Sequence, residues 1–474
     1  MLTGSPQLVR NVFSATVSQS RFTHARLFST PSARMKQRLV ILGSGWGGYE
    51  VLRGVDKKRW DVTVISPTSH FAFTPFLAGC AVGTLEFRCA MEPVRKYGRE
   101  ITAYQAWCDS IDFGKRQLTC TTTAPSDTPV PPTSQSDSAI TKPSSFTVKY
   151  DKLVISVGAY SQTFGIPGVK EHAVFLKGVS DARVIRSRII ECFEQASQPT
   201  LTDIQRRKLL NFCIVGGGPT GVEFAAELHD LLRTEIPTHY PALSKLARIT
   251  LYDVAPHILG SFDENLVKYA EGRFAREGIT LRNQHHVEKV EKGSMIVKEQ
   301  GKVDFGLLVW STGLAPNPFI ESLDGVMKDP KTQSVLTDEH LNILNEDGSP
   351  NPSVWAIGDA AVIKGNVLPA TAQVAGQKAR YVTKKLNKII RDKPSPSEFV
   401  FRNMGSLAYL GNWRAIYDRS QATDSGPKRS ESGRIAWLLW RSAYITMTLS
   451  WRNKILVPFY WFMNWAFGRD LSRF

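Results

Sequence analysis

Short runs of apolar residues, most of them closing on a glycine, punctuate this chain. Arg38-Leu-Val-Ile-Leu42 is the first, and a continuous apolar run of that length ahead of a glycine turn predicts a buried parallel strand. A helix is predicted after the turn, and Val62-Thr-Val-Ile65 is the next strand. Lys152-Leu-Val-Ile-Ser156 resumes the pattern and ends at Gly158. Phe212-Cys-Ile-Val215 opens a second strand–glycine–helix unit, with Ile249-Thr-Leu-Tyr252 as its following strand. Leu307-Leu-Val-Trp310 runs into Ser311-Thr-Gly313, and Trp355-Ala-Ile-Gly358-Asp359 is a further strand end. Residues 180–209, charged and Arg-rich, and 370–390, rich in Ala and Gln early and Lys late, predict helices. Two stretches lack periodicity. The Ser/Thr/Pro-rich residues 121–145 are expected as an insertion in a hairpin, and 418–434 as a polar linker.

The glycines carry chemistry. Gly43-Ser-Gly45-Trp-Gly-Gly48 follows a strand and opens a helix. The first glycine permits the tight turn, the second lets backbone approach a pyrophosphate, and the third allows close helix–strand packing. The helix N-terminus adds unpaired N–H donors and partial positive charge. Gly216-Gly-Gly218-Pro-Thr-Gly221 repeats the motif. Asp253 stands at the end of its next strand, where a carboxylate bonds both ribose hydroxyls and repels a 2′-phosphate, favouring NADH. Ser66 holds the corresponding place in the first unit, so that carboxylate grip is absent there. The expected fold is α/β: two Rossmann-like dinucleotide-binding domains, the second inserted in the first, similar to two-dinucleotide flavoproteins. In those, the N-terminal unit holds FAD and the inserted unit NAD(P)H. Gly313 marks the return crossing. Asp359, after Gly358, is placed either to bond the flavin ribityl chain or to cap a helix, and the two are compatible.

Composition narrows the class. At ~100–200 residues per domain, 474 residues predict two or three domains. With 42% hydrophobic and 22% charged residues the chain is globular. No apolar run is long enough for a polytopic membrane protein. Six cysteines with no C-x-x-C pair and no ligand spacing to histidine predict neither a disulfide scaffold nor a metal site. The formal charge is +16. Part of it lies in residues 1–34, which hold four arginines, ten Ser or Thr and no acid: the composition of a mitochondrial presequence, with Arg26-Leu27-Phe28-Ser29 as its processing site. A second concentration lies in 413–474, with ten Lys/Arg, four Asp/Glu and six of the eleven tryptophans. Basic residues among Leu, Ile, Val and Phe suit a membrane interface better than single-stranded nucleic acid, which is not an expected partner. Ile455–Phe467, about 20 Å long as a helix, is short of a ~30 Å bilayer core. Arg441, Arg452 and Lys454 interrupt the apolar segments. A monotopic anchor is therefore expected. The alternative for this tail is an aromatic homodimer interface or ordinary core, and anchor and interface can coexist.

The motifs together resemble type II NADH:ubiquinone dehydrogenases, the single-chain alternative enzymes of mitochondria. The matching stretches are Gly43–Gly48, Ser66-Pro-Thr-Ser-His-Phe-Ala-Phe-Thr-Pro75, Gly216–Phe224, Leu368-Pro-Ala-Thr-Ala-Gln-Val-Ala-Gly-Gln377, and the tail from Trp440 to Phe474. Departures are the 121–145 insertion, Thr68, His70 and Gly376. The resemblance implies electron transfer from NADH through FAD to ubiquinone, without proton pumping, at the mitochondrial inner membrane on an undetermined face. It implies a division into presequence (1–34), FAD domain (35–157 and 311–410), NADH domain (158–310) and anchoring or dimer region (411–474). The FAD site would take in Ser66, Thr74, Gly158, Gly313, Gly358 and Asp359. Gln373 and Gln377, at i and i+4 on one helix face, would face a neutral quinone; spacing alone also fits a solvated face. Glu223 would sit near nicotinamide and quinone in proton supply, or is an acid stabilised by the helix dipole. Sulfide:quinone oxidoreductases need a cysteine in the C-terminal half, and the last here is Cys213; disulfide reductases need a closer pair than Cys80 and Cys89. The remaining alternative is a flavoprotein resembling apoptosis-inducing factor, with mainly a binding role.

Overall fold

The computed structural model describes residues 36–123, 144–423, 426 and 430–472. The expected presequence lies outside the described residues, as does most of the expected insertion. The strands flanking the latter, Gln117–Thr122 and Ser145–Lys149, pair antiparallel, so residues 121, 122 and 145 belong to the hairpin itself.

Two sheets organise the body, one mixed with a parallel centre and one wholly parallel. The first has ten strands, and at its centre Pro350–Ala356, Lys152–Ile155, Gln37–Leu42, Trp60–Ser66 and Ile101–Asp112 run parallel in that order. The second has five parallel strands, in the order Val174–Phe175, Leu307–Trp310, Asn211–Val215, Arg248–Asp253 and Thr280–Asn283. The first sheet thus draws strands from both ends of the body and the second from the stretch between. Continuous apolar strands such as Leu39–Leu42 and Leu307–Trp310 are buried on both faces, as parallel sheets require. Two crossings join the units: Tyr160–Ser161 pairs antiparallel with Leu314–Ala315.

The stretch expected as one helix over 180–209 is two, Val179–Ala196 and Asp203–Leu209. The break falls where Thr202 caps the second, its Oγ1 accepting from Gln205 N at 3.3 Å. The expected linker 418–434 is also corrected. Ala415–Asp418 and Glu431–Gly433 are strands of a three-stranded antiparallel sheet with Ser406–Tyr409. Asp418 organises the turn, accepting from Asp263 N, Ser420 N and Ser430 Oγ. That sheet carries two tail helices, Arg434–Met447 and Trp451–Phe467.

Candidate active site

The two glycine turns are copies at the level of single hydrogen bonds. Gly43 N donates to Ile65 O, and Gly216 N to Tyr252 O, each at 2.8 Å. Ser156 Oγ donates to Leu42 O at 2.6 Å; Ser311 Oγ donates to Val215 O at 3.1 Å. Gly43 and Gly216 have φ of 95° and 117°. The third glycines are fixed by packing: a Cβ on Gly48 would lie 2.0 Å from Gly43 O, and one on Gly221 2.0 Å from Gly216 O. The second glycines differ in kind. Gly45 and Gly218 are helix N-caps in extended conformations open to any residue, and a Cβ on either would meet nothing within 4 Å. Neither backbone nor packing demands glycine there. The open space in front of each is what a pyrophosphate would occupy, so both cradles fit dinucleotides. Ser156 and Ser311, which brace the turns, were not anticipated; their signal was the matched placement, each one residue past its strand.

One cavity of about 1470 Å³ runs from the first glycine turn to Thr220 and Ser311 beside the second, larger than the roughly 300–1,000 Å³ of an ordinary small-molecule site. Its wall includes Gly45, Ser66, Thr74, Gly158, Thr220, Gly313, Gly358 and Asp359. At one end Ser44, Ser66 and Thr68 form a hydroxyl cluster, with Ser44 Oγ 2.9 Å from Ser66 Oγ and 3.0 Å from Thr68 Oγ1. Ser66 therefore works within a group of hydroxyls. Thr74 Oγ1 accepts from Trp46 Nε1 at 3.1 Å. Asp253 is turned onto backbone: Oδ1 accepts from Ala255 N at 2.7 Å and Oδ2 from Gly217 N, so it braces the second glycine turn.

Asp359 is flanked by two lysines that the sequence reading missed. Burial pushes its carboxyl up, opposed by Lys177 and Lys378. Burial also holds Lys378 down at about 8 against the pull of Asp359. Lys378 Nζ donates to Ala361 O at 3.1 Å. Its signal was helical spacing: Val374, Lys378, Val382 and Leu386 fall on one face, which is buried.

The three expected catalytic residues lie away from that cavity wall. Gln373 accepts from Met404 N (2.9 Å) and donates to Gly405 O (3.2 Å). Gln377 accepts from Arg402 N (3.0 Å) and donates to Arg402 O (2.8 Å). Each amide spends one donor and one acceptor on main chain, clamping 402–405 to the helix Ala372–Ile389. Glu223 borders a narrow crevice together with Pro75, Phe76, Tyr409, Trp440 and Trp461. Its Oε1 accepts from Trp440 Nε1 at 3.0 Å and Tyr409 N at 3.1 Å. The donors come from the C-terminal sheet and tail helix, so the tail closes over this carboxyl.

Burial pushes Glu223 up to about 7, against the two N–H donors, with Glu227 adding to the rise. A carboxyl that holds its proton more tightly folded than unfolded costs stability once ionised. The cost is absent below about pH 4.5, grows towards pH 7 and is complete above it. Glu223→Gln keeps an Oε1 acceptor and removes the charge. Its expected melting temperature equals wild type near pH 4.5 and exceeds it at pH 8, by the equivalent of ~3 kcal/mol. Melting curves at the two pH values check this; a variant less stable at pH 8 contradicts it.

The tail corrects two expectations. The helix expected over 455–467 begins earlier, at Trp451, with Ser450 Oγ accepting from Asn453 N at 3.2 Å. The cations do not all interrupt an apolar surface. Arg441 is enclosed by rings, its guanidinium 4.3 Å from the centroid of Trp437 and 4.1 Å from that of Trp461. Arg452 donates to Arg88 O and Met91 O, turned towards the body. Trp437, Trp440 and Trp461 are buried, whereas Trp413, Trp451 and Trp465 are exposed, so the tryptophans divide between core and surface. Among the described residues no helix is long and apolar enough to cross a membrane.

The family profile described as pyridine nucleotide-disulphide oxidoreductase matches residues 37–379, and that described as NDH2 C-terminal domain matches 403–470. The chain is 40% identical over 443 residues to a probable NADH dehydrogenase of Dictyostelium discoideum, covering 92% of this chain and 91% of that one. It is 36% identical over 472 residues to the mitochondrial external NADH-ubiquinone oxidoreductase 2 of Saccharomyces cerevisiae, covering 92% and 82%. Among solved structures, NDH2 from Plasmodium falciparum in complex with RYL-552 is similar at a TM-score of 0.80 and 25% identity, covering 92% of this chain and all of that one. Paired glycine turns at parallel strands of two sheets, with the first profile spanning both, define a pyridine nucleotide-disulphide oxidoreductase. The C-terminal sheet and its two helices set it apart within that class. The chain belongs to the type II NADH dehydrogenase family.

Proposed function

We propose that this protein passes electrons from NADH through FAD to ubiquinone at the mitochondrial inner membrane, without pumping protons. The observation that carries this reading is the single cavity reaching from the Gly45 turn to Thr220 at the second glycine turn and to Ser311 and Gly313 at the return crossing. It lets a nucleotide in each cradle bring its ring to a common centre. FAD, when bound, supplies the two-electron chemistry. The chain's residues position and shield it. The hydroxyls of Ser44, Ser66 and Thr68 suit a ribose, and Asp359 between Lys177 and Lys378 suits the hydroxyl chain beyond the pyrophosphate. Gly216, Gly218 and Gly221 hold the pyrophosphate of NADH, with Asp253 bracing the turn. Residues 35–157 and 311–410 form the FAD domain, and 158–310 the NADH domain.

The quinone ring approaches between the helix Ala372–Ile389 and the tail. Gln373 and Gln377 act there by fixing the 402–405 wall, and Glu223 holds a proton at Oε2, the oxygen that Tyr409 and Trp440 leave free. A proton held near pH 7 matches a quinone's need for protons on reduction. Purified protein is expected to oxidise NADH with a short-chain ubiquinone at many times its rate without quinone. Turnover at background would instead favour the binding role of a protein resembling apoptosis-inducing factor.

The tail, 411–474, docks in the headgroup layer and supports a homodimer. Ile455, Phe459 and Phe462 lie along one exposed stripe of its last helix, 67%, 51% and 55% accessible, and Trp451 at the stripe's start is 81% accessible. Each such side chain contributes roughly 1.5–3 kcal/mol when buried. Changing Ile455, Phe459 and Phe462 together to lysine is expected to lower co-sedimentation with lipid vesicles at least ~100-fold while bound flavin is unchanged. Undiminished vesicle binding contradicts the anchor.

A further inference from the structure

Cys108 and Cys120 stand directly opposite one another on the antiparallel strands Ile101–Asp112 and Gln117–Thr122. Thr123 N donates to Gln105 O at 3.2 Å, which makes 105/123 a hydrogen-bonded pair. Hydrogen-bonded and non-hydrogen-bonded pairs alternate, so 108/120 is a non-hydrogen-bonded pair. There the Cα atoms approach to roughly 4.5 Å and side chains stand closest. That spacing lies inside the roughly 4.4–6.8 Å range a disulfide accepts. A β-bulge between Cys108 and Ser110 follows immediately, giving the strand local freedom to adjust. Cys108 is partly exposed and lines the large cavity beside Trp107 and Asp109; Cys120 is buried behind it.

The other four thiols are buried and differently placed. Burial pushes Cys89 and Cys192 up to about 11 and Cys213 to about 12, and holds Cys80 well above its ordinary value. Cys120 is the exception: its interaction with the Cys108 thiol holds it below the ordinary value, against burial and Asp109. Cys108 is held up by the same interaction and by burial. The first proton therefore leaves the pair more readily than any of the other four cysteines.

We propose that Cys108 and Cys120 form a reversible dithiol site in the wall of the cofactor cavity, oxidised by hydroperoxides. The hydroperoxide enters from the cavity side, where Cys108 is accessible. The Cys108 proton passes to the Cys120 thiolate across the hydrogen bond between the two sulfurs, and the peroxide O–O bond breaks as the Cys108 thiolate so formed takes the distal oxygen, giving a sulfenic acid and an alkoxide that takes a proton from solvent to become the alcohol. Cys120 then attacks that sulfur, the S–O bond breaks, and water leaves. In sum two thiols and one hydroperoxide give one disulfide, one alcohol and one water, with two electrons passing to the peroxide. The bridge staples the strand carrying the cavity wall 106–109 to its neighbour.

The test uses the full-length, flavin-loaded protein and tert-butyl hydroperoxide, followed by thiol counting after denaturation and peptide mapping without reduction. Titratable thiols are expected to fall from six per chain to four. The Cys108 and Cys120 peptides are expected to be linked, and dithiothreitol to restore six thiols. In Cys120→Ser no link forms and the sulfenic acid on Cys108 is trapped by dimedone. A linked pair absent from the wild type while Cys108 carries a single oxidation product overturns the proposal. So does retention of all six thiols under conditions that consume free cysteine. Because thiols are read and not NADH turnover, either failure leaves the electron-transfer reading standing.

Discussion

Gly45→Val is expected to fold and to emerge colourless. Gly45 caps its helix with φ −75° and ψ −163°, a conformation valine adopts without strain, and a Cβ there touches no protein atom within 4 Å. The apoprotein therefore loses about 1 kcal/mol at the cap, too little to unfold it. The side chain instead occupies the space required by a pyrophosphate. Overpacking a filled site costs typically 1–3 kcal/mol or more, and loss of backbone approach to the phosphates adds to it, so flavin affinity should fall at least ~100-fold. Flavin per chain after purification and the melting temperature of flavin-free wild type and variant are the measurements. A yellow variant with full flavin content removes Gly45 from the cofactor site. A variant whose apoprotein is unfolded shows that glycine serves the fold. Gly48→Ala marks that second behaviour, because its Cβ would lie 2.0 Å from Gly43 O.

Gly218→Val is the matching change in the second unit, with the opposite expected phenotype. Gly218 has φ −72° and ψ 176°, and a Cβ on it also meets nothing within 4 Å. The variant should hold flavin normally, since the first cradle is untouched. NADH should bleach that flavin only at concentrations ~100-fold higher than wild type requires. Dithionite should still reduce it at once, locating the defect in nucleotide binding. If Gly218→Val loses flavin and Gly45→Val loses NADH, the assignment of the two cradles is reversed. If neither loses either, the space in front of these glycines is not where the phosphates lie.

These contrasts show why part of the protein was legible from its sequence. A glycine turn between a buried strand and a helix is a local demand, set by φ of 95° at Gly43 and 117° at Gly216 and by contacts a few residues away. It can be read at both places without knowing the rest. Lys378 was within reach too, on the apolar stripe of its helix. Glu223 was not: its partners Tyr409 and Trp440 lie 186 and 217 residues along the chain, and no local pattern announces them. The same holds for Arg441, whose cage combines Trp437 from its own helix with Trp461 from the next. Read locally, that arginine was a surface charge. The glutamines stood at the right spacing, but spacing does not say whether an amide faces a ligand or a neighbouring backbone, and here it faces Arg402–Gly405. The C-terminal sheet was missed because its strands are only three or four residues long, too short for alternation to be detected.

The central claim is that two nucleotide cradles open on one cavity, so that a reductant in one reduces a flavin in the other and a quinone restores it. Anaerobic stopped-flow mixing of purified holoprotein tests this directly. NADH is expected to bleach the oxidised flavin band within the turnover time, and a following addition of ubiquinone to bring it back, in amounts matching one NADH and one quinone per flavin. A flavin that NADH leaves oxidised, or one that stays bleached after ubiquinone is added, contradicts the account.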